Sequence, residues 1–308
     1  MSMKKIGIVI VNWNGKHDTL VCLDSLRTMR RQGAEVRIIV VDNGSTDNSP
    51  AVIRRTHPEV RIIPLSLNLG FSGGNNVGIK AALTDGADHV WLLNNDTVVD
   101  SEALTLLRGL DEGDAGIAGS KIYFAKGKEF HHARYSERER GRVIWYAGGI
   151  IDWQNMYASH RGVDDVDSGQ YDAVIDTPFV TGCSMMVRKR VFESTGLLDD
   201  RFYLYLEDVD FCLRAKRRGI RLLYVPTSVV WHIGAGSTGG AGNPLHDYYL
   251  TRNRLLIGFR YAPLRTKLAL LRESLGQLIG ASPVKRRAVA DAYTGRFGKR
   301  YEPRKFQR

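Results

Sequence analysis

Over the first hundred residues, short apolar runs rich in branched side chains alternate with amphipathic stretches. KIGIVIVN, VRIIVVDN, VRIIPL and HVWLLNN read as strands, with helical segments between them from about Asp18 to Arg30, near Ser49 to Arg55 and near Asn75 to Leu83. Branched strands separated by helices predict a mostly parallel sheet covered on both faces, an α/β nucleotide-binding architecture whose ligands sit at the carboxyl ends of the strands. From about 115 to 180 the pattern loosens, with charged stretches such as HHARYSERERGR and DDVDSG that read as insertions around a site. Regularity returns with TPFVTGCSMMVRKRVFESTGLLDDRFYLYLEDVDFCLRAKRRGIRLLYVPTSVVWHIG.

The strand ends share a composition. The first ends in Asn12-Trp13-Asn14-Gly15, the second in Asp42-Asn43-Gly44-Ser45, the third connection is NLGFSGGNN (68 to 76), and the fourth strand runs from Val90 to Leu93 straight into Asn94-Asn95-Asp96. Turns and helix caps use these residue types anyway, so each cluster alone is weak. Four on one edge of one sheet point to a polar ligand. The glycines of NLGFSGGNN read as a loop that lets backbone approach a ligand, followed by a helix whose first amides face an anion. The stretch is neither a GxGxxG fingerprint nor a P-loop.

Composition changes the picture in two places. The 308 residues, 43% hydrophobic and 25% charged, are ordinary for a globular chain, long enough for one large domain plus an appendage or for two small ones. The start, MSMKKIGIVIVNWNG, reads as a first strand and not a signal peptide, and no segment approaches the roughly 20 apolar residues of a spanning helix. Cys22, Cys183 and Cys212 are too few and too dispersed for a disulfide framework or a zinc site, which predicts a reducing, cytoplasmic setting. The charge is uneven. Residues 261 to 308 hold 12 Lys/Arg against 3 Asp/Glu and carry +9 of the net +11. Within them PLRTKLALLRESLGQLIG spaces Leu264, Leu268, Leu271, Leu275 and Leu278 along one helical face beside Arg265, Lys267 and Arg272, which suits anionic lipid headgroups or docking on the protein's own core equally. Nucleic-acid binding is a rival reading of the charge, but Asn/Asp-rich strand ends would repel phosphates unless a cation intervened, so no nucleic acid is expected.

Candidate chemistry gathers in the returning block. Glu207, Asp208 and Asp210 open a helix; the macrodipole explains one or two of them, but Glu207-Asp208 follow the apolar FYLYL, where a carboxylate against an apolar wall is a candidate general base. His232 ends a branched strand and enters a Gly/Ser-rich loop able to fold over a ligand. His131 and His132 lack a carboxylate partner at ligand spacing and read as surface. Arg252, in DYYLTRNRLL, is a candidate phosphate contact.

Taken in order, VIVNWNG…LDSL, VVDNGSTDNS, NLGFSGGNNVGI, WLLNNDTVVD, the FVTGCSMMV…LEDVDF block and VWHIGAGS resemble a family 2 glycosyltransferase of the GT-A fold, and within it the bacterial rhamnosyltransferase-like enzymes of cell-wall and O-antigen glycans; the likeness spans about residues 5 to 258. The resemblance implies a Rossmann-like mixed sheet in a domain of residues 1–260, with 1–115 as the nucleotide-binding half and 116–260 as the acceptor and catalytic half, followed by a basic amphipathic helical tail, 261–308. It implies that Val11, Asn12, Asp42, Asn43, Asn68, Gly70, Asn76 and Asn95 hold the donor nucleotide-sugar. Asn94-Asn95-Asp96 occupies the place of the family's DXD motif, so Asp96, with His232, would bind Mg²⁺ or Mn²⁺ against the diphosphate, and the polar end of the fourth strand is completed by that ligand. Asp208 matches the catalytic base; Trp145, Gly182, Cys183, Ser184 and Glu207 would lie along the acceptor. Asn94 departs from the motif's first Asp and leaves Asp96 as its only carboxylate, which weakens the expected metal site. The implied activity is inverting transfer of L-rhamnose from dTDP-L-rhamnose to a lipid-linked or polysaccharide acceptor, by an enzyme held peripherally on the inner face of the cell membrane. Galactofuranosyl or N-acetylhexosaminyl transfer from a UDP-sugar is the alternative.

Overall fold

The computed structural model describes residues 3–111, 114–234 and 243–302. In chain order its elements are β1 (Lys5–Asn12), α1 (Lys16–Thr28), β2 (Glu35–Asp42), α2 (Ser49–Thr56), β3 (Arg61–Pro64), α3 (Gly70–Thr84), β4 (His89–Leu93), β5 (Thr97–Val99), α4 (Leu106–Asp111) and β6 (Ala115–Phe124). There follow β7 (Ile144–Tyr146), β8 (Gly149–Asp152), β9 (Tyr157–His160), β10 (Ile175–Asp176), β11 (Ser184–Arg188), α5 (Lys189–Thr195), α6 (Glu207–Lys216), β12 (Arg221–His232), α7 (Pro244–Tyr261), α8 (Leu264–Gly280) and α9 (Pro283–Tyr293).

The main sheet runs β10-β12-β6-β11-β4-β1-β2-β3. The neighbours β3-β2-β1-β4 are parallel, and so are β6 and β12. Because β11 is antiparallel to both β4 and β6, the two parallel groups share one direction. The carboxyl ends of β1, β2, β4 and β12 therefore open on one edge, and the turn that leads into β11 arrives there as well. This is how Asn12, Asp42, Asn94, Gly182 and His232, spread over 220 residues, come to one place. The sheet is mixed through its second half, to which the loose region from 115 to 180 supplies β6, β7 and β10, while β8 and β9 pair in a separate two-stranded sheet.

One local expectation is corrected. NLGFSGGNN is not a loop before a helix: α3 begins at Gly70 and contains the glycines. The reason is packing, which overrides their low helix propensity. A Cβ on Gly78 would stand 2.2 Å from Val9 Cγ1, so the bare backbone lets α3 lie directly on β1 and β2. Of the glycines in this helix, Gly74 faces Val11 and Gly78 faces Val9, both on β1, whereas Gly70, with φ 76°, lies against Tyr203.

Arg252 is a second correction. It is fully buried, and its guanidinium donates to the carbonyls of Gly298 (2.7 Å), Arg201 (2.9 Å) and Phe202 (2.7 Å), so no donor is directed at a phosphate. Its neighbour Asn253 donates to the carbonyls of Phe202, Leu204 and Tyr205 at 2.8–3.0 Å. Between them these α7 side chains clamp a turn in which Tyr203, Tyr205 and Leu206 all have positive φ, 64°, 69° and 69°. Left-handed backbone costs non-glycine residues roughly 1–3 kcal/mol each, so the turn persists only because its surroundings over-determine it.

The basic segment after 261 packs as two helices. α8 buries Thr266, Leu270 and Ser274, with Leu270 seated against Gly258 of α7 and Ser274 Oγ 2.6 Å from the Tyr293 hydroxyl of α9. Leu264, Leu268, Leu271 and Leu275 stay on the outer side, joined by Ile279, which is 86% exposed; only Leu278 of the leucine row packs inward. The chain then returns across the molecule, donating Gly298 N–H to Arg201 O and stacking Tyr301 on Tyr248 at 5.0 Å.

Removing the Asn253 amide leaves buried carbonyls unpaired at a cost of about 1–3 kcal/mol. Asn253→Ala should lower the urea midpoint accordingly, and should lower it less once the turn is relaxed by glycine at 205; an unchanged midpoint in Asn253→Ala would show that the clamp does not hold the turn.

Candidate active site

The cleft at the carboxyl edge has two compartments that share Phe71, Asn94 and Leu204. The first, about 130 Å³, is lined by Val11, Asn43, Asn68, Gly70 and Asn95 among the expected donor residues, with Trp13 and Asn75 beside them. Asn43 organises this wall. Its amide donates to Asn68 Oδ1 and Gly70 O, both at 3.0 Å, and its Oδ1 accepts from Leu69 N–H at 2.9 Å. Asn12 and Asp42 lie beneath it, fully engaged: Asn12 Nδ2 donates to Asp42 Oδ1 at 2.8 Å and Thr19 donates to Asn12 Oδ1, while Asp42 Oδ2 accepts from Ser45 N–H. They hold the β1 and β2 ends in register. Asn76 does not reach the compartment. It donates to Leu198 O and Asp200 and accepts from Leu198 N–H, so its polar atoms fasten the 198–200 loop to α3.

The second compartment, about 270 Å³, is lined by Trp145, Gly182, Cys183, Glu207 and Asp208. Asp208 Oδ2 accepts from Gly182 N–H at 2.9 Å and Oδ1 from Val209 N–H at 2.8 Å. Burial nevertheless pushes its carboxyl above the usual range, against those two hydrogen bonds. Glu207, also buried, is pushed up well above the usual range by burial first and by the neighbouring Asp208 charge second, and its Oε2 has no partner. Asp210, the third acid, is structural: Arg214, Arg260 and Tyr261 bind it within the fold. Ser184 is likewise withdrawn. Strand alternation turns it into the sheet, where its Oγ accepts from Trp91 Nε1 at 3.0 Å and pairs with Ser120 Oγ at 2.7 Å. Cys183 faces the compartment with its thiol pushed far up by burial, so it stays protonated and inert. Cys22 and Cys212 are buried free thiols as well.

At the edge of the cleft Asp96 Oδ1 lies 3.4 Å from His232 Nε2 and makes no hydrogen bond, although buried. His232 stacks on Trp145 with ring centroids 4.7 Å apart. Trp145 meets His160 edge-on at 4.3 Å, and burial holds that imidazole down at about 4, hence neutral near pH 7. Trp145 thus joins the Asp96–His232 pair to the second compartment. An orphaned carboxylate oxygen beside an imidazole nitrogen fits a hard divalent cation whose remaining ligands are phosphate oxygens and water. Among the described residues no three His, Cys, Asp or Glu converge as a complete metal cage. His131 and His132 are exposed. The Gly/Ser-rich stretch after His232 falls in 235–242, outside the described residues.

Sequence reasoning missed several cleft residues. Phe71, Tyr203, Leu204 and Tyr205 line it, and FYLYL carried a signal for the last three: a run of large apolar residues too short for a core helix and ending on two acids. Tyr301 and Glu302 line the first compartment from the far end of the chain, and no local pattern marks them.

Comparison with known proteins agrees with this geometry. The family model for glycosyl transferase family 2 matches residues 7–196. The low-salt glycan biosynthesis hexosyltransferase Agl10 of Haloferax volcanii is 26% identical over 70% of this chain and 63% of its own. The N-acetylglucosaminyl-diphospho-decaprenol L-rhamnosyltransferase of Mycobacterium tuberculosis is 28% identical over 66% of this chain and 68% of its own. The dTDP-rhamnosyl transferase RfbF of Shigella flexneri is 26% identical over 88% of this chain and 85% of its own. The crystal structure of GalNAc-T7 with UDP, GalNAc and Mn²⁺ superposes with a TM-score of 0.67 at 15% identity, over 95% of this chain and 55% of that one. The sheet order, the shared carboxyl edge and the matched motifs agree: this chain has the GT-A fold and belongs to glycosyl transferase family 2.

Proposed function

We propose that the chain is an inverting glycosyltransferase that moves L-rhamnose from dTDP-L-rhamnose to a lipid-linked or polysaccharide acceptor in bacterial cell-wall or O-antigen synthesis. The observation that carries the reaction class is a buried carboxylate, Asp208, facing the acceptor compartment while the Asp96–His232 pair lies at the cleft edge. The names of the Mycobacterium and Shigella relatives support the sugar and the kind of acceptor.

Asp208 takes the proton of the acceptor hydroxyl. The freed oxygen attacks the anomeric carbon from the face opposite the leaving nucleoside diphosphate, forming the new glycosidic bond as the old bond to phosphate breaks. The two amides at Asp208 fix the carboxylate in the apolar wall, and its raised pKa makes it a stronger base than a solvated carboxylate. Glu207, whose carboxyl burial biases toward the protonated form, presents an O–H to an acceptor oxygen. Asn43 and Asn68 shape the nucleotide compartment, and Trp145 walls the second compartment beside His232. Asp96 and His232 would hold Mg²⁺ or Mn²⁺, which when bound offsets charge developing on the diphosphate.

The exposed row Leu264, Leu268, Leu271, Leu275 and Ile279, flanked by Arg265, Lys267 and Arg272, supports peripheral attachment to an anionic leaflet, where a lipid-linked acceptor resides. Among the described residues no helix is long and apolar enough to cross a membrane.

Ligand binding raises the melting temperature by mass action. A screen of dTDP-rhamnose, UDP-galactofuranose, UDP-GlcNAc and GDP-mannose should give a Mn²⁺-dependent shift with dTDP-rhamnose that disappears in Asp96→Ala; a shift with a UDP-sugar instead would replace the donor. Asp208→Asn should cut kcat by about 10²–10⁴-fold, and the acid limb of wild-type kcat/KM should lie above the ordinary Asp pKa of about 3.9. Folded Glu207 keeps a proton that the unfolded chain loses above about pH 4.3, so it makes stability fall as pH rises. Glu207→Gln should match wild type near pH 4 and become more stable relative to it as pH rises above that; parallel pH curves would contradict the assigned shift. In flotation with phosphatidylglycerol vesicles, Leu268→Glu/Leu275→Glu should stay in the aqueous fraction while wild type rises.

A further inference from the structure

The acceptor compartment does not stop at Asp208. Ala158, Leu206 and Leu250, which line it, also line a further cavity of about 240 Å³ between β9, α7, α8 and α9. Most of its wall comes from the C-terminal third of the chain, beyond the 7–196 family match.

The charges of that wall are internally matched. Arg254 spans the Glu273 carboxylate with two contacts, 2.7 and 2.9 Å, and Lys285 Nζ lies 3.9 Å from Asp247. Burial holds His246 below its usual pKa, so it is neutral near pH 7. An anion entering here would find every cation already paired. A neutral polyol would find donors and acceptors side by side, with Thr251 and Gln277 adding uncharged ones, the Gln277 amide keeping its Oε1 and second N–H beside one bond to Glu273 at 3.0 Å. The groove also has an apolar side: Met156, Leu206 and Leu250, and the ring of Tyr157, 54% exposed, with the Arg254 guanidinium 4.2 Å from its centroid. A sugar ring has that same mixture, a hydroxyl rim and a C–H face, and pockets that bind such ligands combine apolar walls with a few convergent polar groups.

We propose that this groove is a distal acceptor subsite that binds a neutral sugar residue next to the one receiving the transferred unit. The proposal rests on the reading that the compartment at Asp208 holds the acceptor. It makes the enzyme a selector of acceptor length: the catalytic compartment takes the reacting sugar and the C-terminal helices take its neighbour.

The test is saturation-transfer NMR and affinity titration with methyl hexosides and N-acetylhexosaminides, and with disaccharides carrying the same terminal sugars, on wild type, Tyr157→Ala and Gln277→Ala. Both side chains sit at the groove surface, and circular dichroism checks each fold. At least one disaccharide should bind wild type about tenfold more tightly than its monosaccharide, and each variant should lose that increment while keeping monosaccharide affinity. No increment in wild type, or one that survives both substitutions, would overturn the subsite. An increment produced instead by a phosphate on the monosaccharide, and lost in Lys285→Ala, would overturn its neutral-sugar assignment. Sugar-nucleotide turnover on the same samples separates the readings: turnover without an increment defeats the subsite alone, and an increment without turnover defeats the catalytic reading alone.

Discussion

A carboxylate taken out of water must be compensated, and the site is arranged around how Asp208 is compensated. Its two oxygens receive backbone amides from Gly182 and Val209, one from the turn entering β11 and one from the first turn of α6. Those amides meet only because β11 runs antiparallel between two parallel groups and delivers its leading turn to the edge where β1, β2, β4 and β12 finish. These amides and the Thr181 hydroxyl do not outweigh burial, so the group remains basic while staying in place. Fixed geometry and a raised pKa come from the same arrangement.

The approach of α6 has its own cost. Three residues just before or at its start hold left-handed backbone, and α7 supplies Arg252 and Asn253 to fix their carbonyls. Arg252 in turn binds Gly298, so the last described stretch of chain is tied to the turn before α6 and its Tyr301 lines the first compartment. The C-terminal helices are accordingly structural partners of the site. α8 shows the division most simply: Thr266, Leu270 and Ser274 dock it, and the leucines on its other side remain for a surface outside the protein.

The sheet and most of the site were legible in the sequence because they follow from periodicity and from polar residues where a core strand should end. Val90 to Leu93 followed by Asn94-Asn95-Asp96 located the cleft, and Asp208 stood out against FYLYL. The failures share a cause, since pattern gives a residue's neighbourhood along the chain and not its partners across space. Asn76, Ser184 and Arg252 have the right chemistry for ligand contact, yet their polar atoms are used by Leu198, Trp91 and the 201–202 carbonyls. Gly74 of α3 looked like part of a ligand loop because closeness to a ligand and closeness to a sheet impose the same demand for a missing side chain, whereas Gly70 does line the cleft. Tyr301 was invisible because only the return of the chain over α7 brings it to the cleft.

The central claim is a single displacement driven by Asp208, and the anomeric configuration of the product tests it most directly. Early-time proton NMR of the sugar released from the proposed dTDP-rhamnose donor when water replaces the acceptor, taken before mutarotation, reads that configuration. The account predicts the anomer inverted relative to dTDP-rhamnose, formed by wild type and not by a variant lacking the Asp208 carboxylate. Release of the retained anomer would contradict it, since retention requires a covalent or front-face step in place of the single displacement.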